Sequence, residues 1–210
     1  GGKTVSLKTI GLLTLMNQCG LPISADKAEL SFFKHIFIDI GDNQSLSDNL
    51  STFSAHVSQL GEIIDLAKGR DLVLLDELGT GTDPKEGEAL AYSITRYLEN
   101  KHVLAMISSH FDALKEYAFL SPNLDNSSML FNENELLPTY IFTQGVPGKS
   151  YALDVARRYG IKDEIILEAK AFLKNRGSSE SDELISTLLT HINDASMMKK
   201  ELTKEKEELE

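Results

Sequence analysis

Cysteine is nearly absent: one residue in 210, which excludes a disulfide framework and indicates a reducing compartment. Long hydrophobic runs are missing too. None approaches the ~18 residues of a membrane span, and no signal-peptide pattern appears, so we expect a cytoplasmic chain with no membrane partner. Basic residues are few, 21 Lys and Arg against 32 Asp and Glu, for a net charge of −11. That balance argues against wide contact with phosphate backbones by this stretch, since such contact needs clustered Lys and Arg. The chain also starts at Gly1 without an initiator methionine, and we expect it to be part of a longer one. What is present is 41% hydrophobic residues, enough for a core, and a length suited to one domain with an appendage.

Three short apolar runs read as buried parallel strands: "HIFIDI" (His35 to Ile40), "DLVLLDE" (Asp71 to Glu77) and "HVLAMISSH" (His102 to His110). Helical segments separate them, from Thr4 to about Cys19, Ser51 to about Ala67 and Glu86 to about Glu99. Strands alternating with helices indicate an α/β layered fold. Further on, "SSMLFNENELLPTYIFTQG" reads as a hairpin turning at Asn132 to Glu135. "SYALDVARRYG" reads as a helix closed by Gly160, followed by a second helix from Lys162 to Asn175. "RGSSESD" (Arg176 to Asp182) is a break. The expected division is therefore a domain over 1–176 and a charged helical connector over 177–210. In that connector Ala195, Met198, Leu202 and Leu209 stand at heptad-like intervals, and it reads either as a coiled coil or as a solvated tail.

The chemistry begins at the first residues. A full phosphate loop is G-x-x-x-x-G-K-[ST] after a strand. Gly2-Lys3-Thr4 supplies its last three positions, and the first glycine and the strand before it are absent from the sequence. Amides near Gly2 and the helix start face anionic oxygens, Lys3 neutralises outer phosphates, and the Thr4 hydroxyl ligates Mg²⁺. "LVLLDE" then ends a strand in Asp76 and Glu77. There Asp76 can hold Mg²⁺ through its water shell, and Glu77 can orient and deprotonate an attacking water. "ISSHF" places His110 after a third strand, where a side chain can sense a γ-phosphate. Each element also has a plain reading, as a chance match at a helix start, an acidic turn and a structural histidine. Structural roles are the expectation for His35, His56, His102 and His191. The order of the three elements favours nucleotide chemistry over these.

Together these residues resemble the ATPase domain of the MutS family, a relative of the ABC-type ATPases. "DNLSTF" (Asp48 to Phe53) resembles the family's signature segment, and no LSGGQ-like sequence of the transporter and condensin type occurs. The segments "DELGTGTDPKEGEALA", "FIDIGDNQSLSDNLSTFSAHV" and "GVPGKSYALDVARRYGI" resemble the second bacterial MutS paralogue branch. Mismatch-recognising members usually carry Ser-Thr where this chain has Asp83-Pro84. The resemblance covers Gly1 to about Asn175. It implies a P-loop NTPase of ABC/MutS type, with a parallel-sheet core, a β-hairpin and C-terminal helices, here lacking the N-terminal strand and half of the P-loop. It implies binding of ATP and Mg²⁺ through Gly1, Gly2, Lys3 and Thr4, with Asp76 as a further metal ligand and Glu77 and His110 as catalytic residues.

The resemblance also implies a homodimer through the ATPase domain. Ser51 would reach the γ-phosphate held by the partner, beside its plain role as a helix cap. "GTGTD" (Gly79 to Asp83) would lie at that interface or simply make a turn. Longer members of the branch carry a core and clamp and a terminal Smr nuclease domain. They are linked with suppression of homologous recombination and with splitting collided ribosomes, so DNA or ribosome contact is expected through segments outside this sequence. The alternatives are another ABC-type ATPase and a catalytically inert dimerisation or docking module. Because several loop amides lie upstream of Gly1, this stretch by itself is expected to bind ATP poorly, with Gly1 to Thr4 not held in a closed loop.

Overall fold

The LVLL run at Leu72–Leu75 is buried at every position, and the helices of the first unit are layered around it. In the computed structural model, residues 2–41, 49–132, 137–145, 148 and 151–176 are described. The connector at 177–210, His191, Gly1, Asp48 and the hairpin-turn residues Glu133, Asn134 and Glu135 lie outside them. The chain divides into two units, Gly1–Asp125 and Asn126–Glu210.

In the first unit the order is α1 (Lys3–Gln18), β1 (Ile36–Asp39), α2 (Asn49–Leu66), β2 (Leu72–Leu75), α3 (Pro84–Asn100), β3 (Leu104–Ile107) and α4 (Asp112–Leu120). The strands form a parallel sheet in the order β1-β2-β3, with Asp39 opposite Leu75 and Leu75 opposite Ile107. Alternate side chains of β2 feed two cores, as strand geometry demands. Val73 and Leu75 pack with Leu60 and Ile63 of α2 and Ala91, Ile94 and Leu98 of α3. Leu72 and Leu74 pack with Leu7 of α1 and with Phe33. Helices thus cover both faces, the layering that right-handed parallel crossovers produce.

Only β2 is buried throughout. The sequence reading expected all three strands to be covered on both faces, yet Leu104 of β3 is 56% exposed and Ile38 of β1 is 41% exposed. The reason is position: β1 and β3 are the edges of the described sheet, and apolar composition does not distinguish an edge from a centre. Helix α4 was not foreseen either. It is a nine-residue helix whose cap position, Phe111, supplies no side-chain hydrogen bond, so its start carries no capping signal.

The loop entering β2 is held by a carboxylate. Asp71, 2% exposed, accepts hydrogen bonds from the Lys68 amide at 2.9 Å, the His35 amide at 3.1 Å and His35 Nδ1 at 3.0 Å. Burial pushes the Asp71 carboxyl up, but the Lys68 and His35 hydrogen bonds outweigh it and leave its pKa below the ordinary value. A depressed carboxyl contributes stability above its unfolded pKa, about 3.9, and loses it as pH falls through the folded value. Asp71→Ala removes the buried carboxylate that holds these three donors and is expected to cost about 1–3 kcal/mol at neutral pH, the range for hydrogen bonds to a charged group. Urea unfolding at neutral and acid pH measures this, and the difference between variant and wild type should shrink on acidification.

In the second unit β4 (Ser127–Asn132) pairs antiparallel with β5 (Leu137–Gln144), with a register shift between Met129 and Phe131. Helix α5 (Ala152–Arg158) is followed by Gly160 at φ +95°, the left-handed stop read from the sequence, and by α6 (Asp163–Arg176). Arg157 Nε pairs with Asp163 Oδ1 at 2.7 Å and Lys170 Nζ with Asp154 Oδ1 at 3.2 Å, joining the two helices. Among the described residues no helix is long and apolar enough to cross a membrane.

Candidate functional site

The first turn of α1 meets the C-terminal ends of β2 and β3, the edge of a parallel sheet where ligands of α/β proteins sit. Gly2 caps α1 at φ +102°, and the first turn holds no acidic residue. Its opening amides carry the positive end of the helix. The Thr4 hydroxyl donates to Asp76 Oδ2 at 2.6 Å. Lys3 Nζ lies 3.4 Å from the Ser109 carbonyl and 3.5 Å from His110 Nδ1. Partial burial lowers the Lys3 ammonium pKa; Glu77 and Asp76 work against this, while Lys115 adds to it.

Asp76 and Glu77 leave β2 in different ways. The Asp76 amide donates to the Asp39 carbonyl at 2.9 Å, prolonging the ladder with β1. Glu77 turns out of the strand at φ +50°, the left-handed region that costs a non-glycine residue and recurs at functional sites. Its carboxylate is 59% exposed and stands 3.8 Å from His110 Nε2. Behind Asp76, His56 of α2 places Nδ1 3.1 Å from Asp39 Oδ2, both side chains being nearly buried. Hydrogen bonding to the Asp39 carboxylate raises the His56 pKa, against the effect of burial. His35 and His56 are thus each paired with a carboxylate, Asp71 and Asp39.

The structure brings Lys3, Thr4, Asp76, Glu77 and His110 into one cluster. Gly1 lies outside the described residues. Ser51 falls in the first turn of α2, which begins at Asn49, two positions before the expected start. Its side chain is also outside the described residues. Sequence reasoning overlooked Ser108, whose hydroxyl contacts both Asp76 and the Glu77 amide. Its one sequence signal is its place at the end of the third strand, two residues before His110.

The glycine-rich turn after Glu77 is packed tightly. Gly79 and Gly81 have φ of +86° and +89°. A Cβ on Gly79 would stand 2.3 Å from the Gly87 carbonyl oxygen, and one on Gly87 would stand 2.1 Å from that of Gly79. Asp83 caps α3 by accepting from the Lys85 amide at 2.9 Å and the Glu86 amide at 3.3 Å, and Pro84 opens the helix. The Asp83-Pro84 pair therefore has a local cause.

A helix start, a lysine, a hydroxyl and two adjacent carboxylates thus meet at the C-terminal edge of a parallel sheet in a layered α/β domain. The family model described as MutS domain V matches residues 1–176, and the chain belongs to that family. It is 48% identical over 171 residues to Endonuclease MutS2 of Streptococcus thermophilus, a span of 81% of this chain and 22% of that protein. Endonuclease MutS2 of Clostridium perfringens is 47% identical over 189 residues, 90% of this chain and 24% of the relative. That of Streptococcus suis is 49% identical over 173 residues, 82% and 22%. The domain is thus of the MutS2 type, and the chain spans less than a quarter of the length of these relatives.

Proposed function

We propose that this domain, within the longer protein, binds and hydrolyses ATP with Mg²⁺. The observation that carries the reading is the Thr4 hydroxyl set 2.6 Å from Asp76 Oδ2, with Lys3 beside them at the same sheet edge. The residues present fit Mg²⁺. Thr4 and Asp76 offer hard oxygen donors, and Mg²⁺ takes one or two protein ligands and fills the rest with water and phosphate oxygens. When bound, Mg²⁺ neutralises charge developing on the outer phosphates. The α1 amides and Lys3 hold the phosphates, which is most of what phosphoryl transfer asks of a protein. Glu77 takes a proton from the attacking water at its carboxylate as the water oxygen bonds to the γ-phosphorus and ADP departs with the bridging oxygen. His110, between Lys3 and Glu77, is placed to respond to the γ-phosphate.

Two such domains form composite sites in this reading, with Ser51 supplied in trans. Support comes from the family and from the location of Ser51 in the first turn of α2. In the longer protein, DNA or ribosome contact, nuclease activity, suppression of recombination and rescue of collided ribosomes belong to segments outside this sequence, and its setting is the cytoplasm. Support for these is the family likeness and the name Endonuclease MutS2 borne by the relatives.

A mixing experiment in the full-length protein tests the arrangement. A Ser51→Ala subunit combined with a Lys3→Ala subunit makes one site with both lesions and one with neither. The heterodimer is expected to recover ATP turnover that neither mutant homodimer shows. Verified heterodimers that recover nothing would reject independent composite sites.

A further inference from the structure

We propose that Ser108 is a positioning residue that sets both carboxylates of the site through one hydroxyl. The inference rests on the ATPase reading above. A serine hydroxyl has one proton to give and lone pairs to accept with. Here the proton goes to Asp76 Oδ1, and the oxygen accepts from the Glu77 amide at 2.9 Å. Ser108 is 7% exposed, so water does not compete freely for either bond.

The fold does not need this hydroxyl. The backbone of Ser108 already completes the sheet, its amide donating to the Leu75 carbonyl at 2.9 Å and its carbonyl accepting from the Leu78 amide at 3.0 Å. Any residue type except proline makes those bonds. The side chain adds something directed at the site. By engaging Oδ1 it orients the Asp76 carboxylate so that Oδ2 faces the Thr4 hydroxyl. By holding the Glu77 amide it supports the left-handed turn at φ +50° that carries the Glu77 side chain out of the strand. Neighbouring Ser109 is different: its hydroxyl accepts from the Phe111 amide at 3.3 Å and donates to the Leu78 carbonyl at 3.4 Å, both backbone groups rather than a carboxylate of the site. Removing a group that orients a metal ligand typically costs about 10- to 100-fold in metal affinity or activity.

The test uses the full-length protein and measures ADP affinity by calorimetry with Mg²⁺ and with EDTA, alongside ATP turnover at saturation. For Ser108→Ala the expected result is unchanged affinity in EDTA, a loss of about 10- to 100-fold in the Mg²⁺-dependent part of binding, and a fall in kcat. Ser108→Thr restores the hydroxyl and is expected to restore both the Mg²⁺-dependent binding and kcat. Ser108→Val has the shape of threonine without the hydroxyl and should behave like alanine, so the Thr and Val pair decides the matter even if alanine destabilises the strand. The proposal is overturned if Val and Ala retain wild-type Mg²⁺ dependence and kcat, or if their affinity in EDTA falls in step with that in Mg²⁺. Wild-type protein without Mg²⁺-dependent nucleotide binding would instead reject the ATPase reading on which the proposal rests.

Discussion

Glu77→Gln is expected to lower ATP turnover in the full-length protein by about 10²- to 10⁴-fold, the usual contribution of a positioned general base. Glutamine keeps the size of the side chain and its hydrogen-bonding reach but cannot take a proton. In the reading proposed above, the groups that hold the phosphates are Lys3 and the opening amides of α1, and Thr4 and Asp76 hold Mg²⁺. Nucleotide affinity should therefore change little. Asp76→Ala should act in the opposite way, removing the oxygen 2.6 Å from the Thr4 hydroxyl and weakening the Mg²⁺-dependent part of binding. Steady-state turnover and nucleotide titrations on both variants separate the two roles. Turnover by Glu77→Gln at the wild-type rate would show that another group accepts the proton.

Gly79→Ala is expected to destabilise the domain by about 2–4 kcal/mol, because a left-handed φ and a steric overlap coincide. The added methyl would lie 2.3 Å from the Gly87 carbonyl oxygen, 2.8 Å from Phe111 Cε2 and 3.0 Å from Ala91 Cβ, at φ +86°. The closest of these atoms is backbone in α3, which cannot swing aside as a side chain can. The turn is also pinned at Leu78, whose amide donates to the Ser108 carbonyl at 3.0 Å. Strain there acts on the residues adjoining Glu77. Gly81→Ala is the matched comparison. Its φ of +89° is as unfavourable, but its nearest neighbour, Phe53 Cδ2, would be 3.5 Å away. It should cost only the left-handed penalty, about 1–2 kcal/mol. Denaturant midpoints for the two variants measure the difference, and equal losses would show that overlap with α3 is relieved at no cost.

Much of the architecture was legible in the sequence because it is set by local order. Apolar runs and helical periodicity located β1, β2, β3 and the helices α1, α2 and α3, with ends shifted by one to three residues. The Gly-Lys-Thr start and the Asp76-Glu77 pair are contiguous motifs, so their chemistry was readable before their geometry. What the sequence did not carry was neighbourhood. Edge and central strands have the same composition, so exposure at Leu104 and Ile38 followed only from strand order. Helix α4 lacks a capping side chain and is short, so it left little periodic trace. The pairing of His56 with Asp39 and the bridging by Ser108 were invisible in the chain. Thr4 and Asp76 are 72 residues apart, and Ser108 and Asp76 are 32 apart. Side chains so distant meet only when parallel strands in one register bring their C-terminal ends to a common edge. Local propensity determines which elements form, whereas which hydroxyl reaches which carboxylate is decided by how those elements pack.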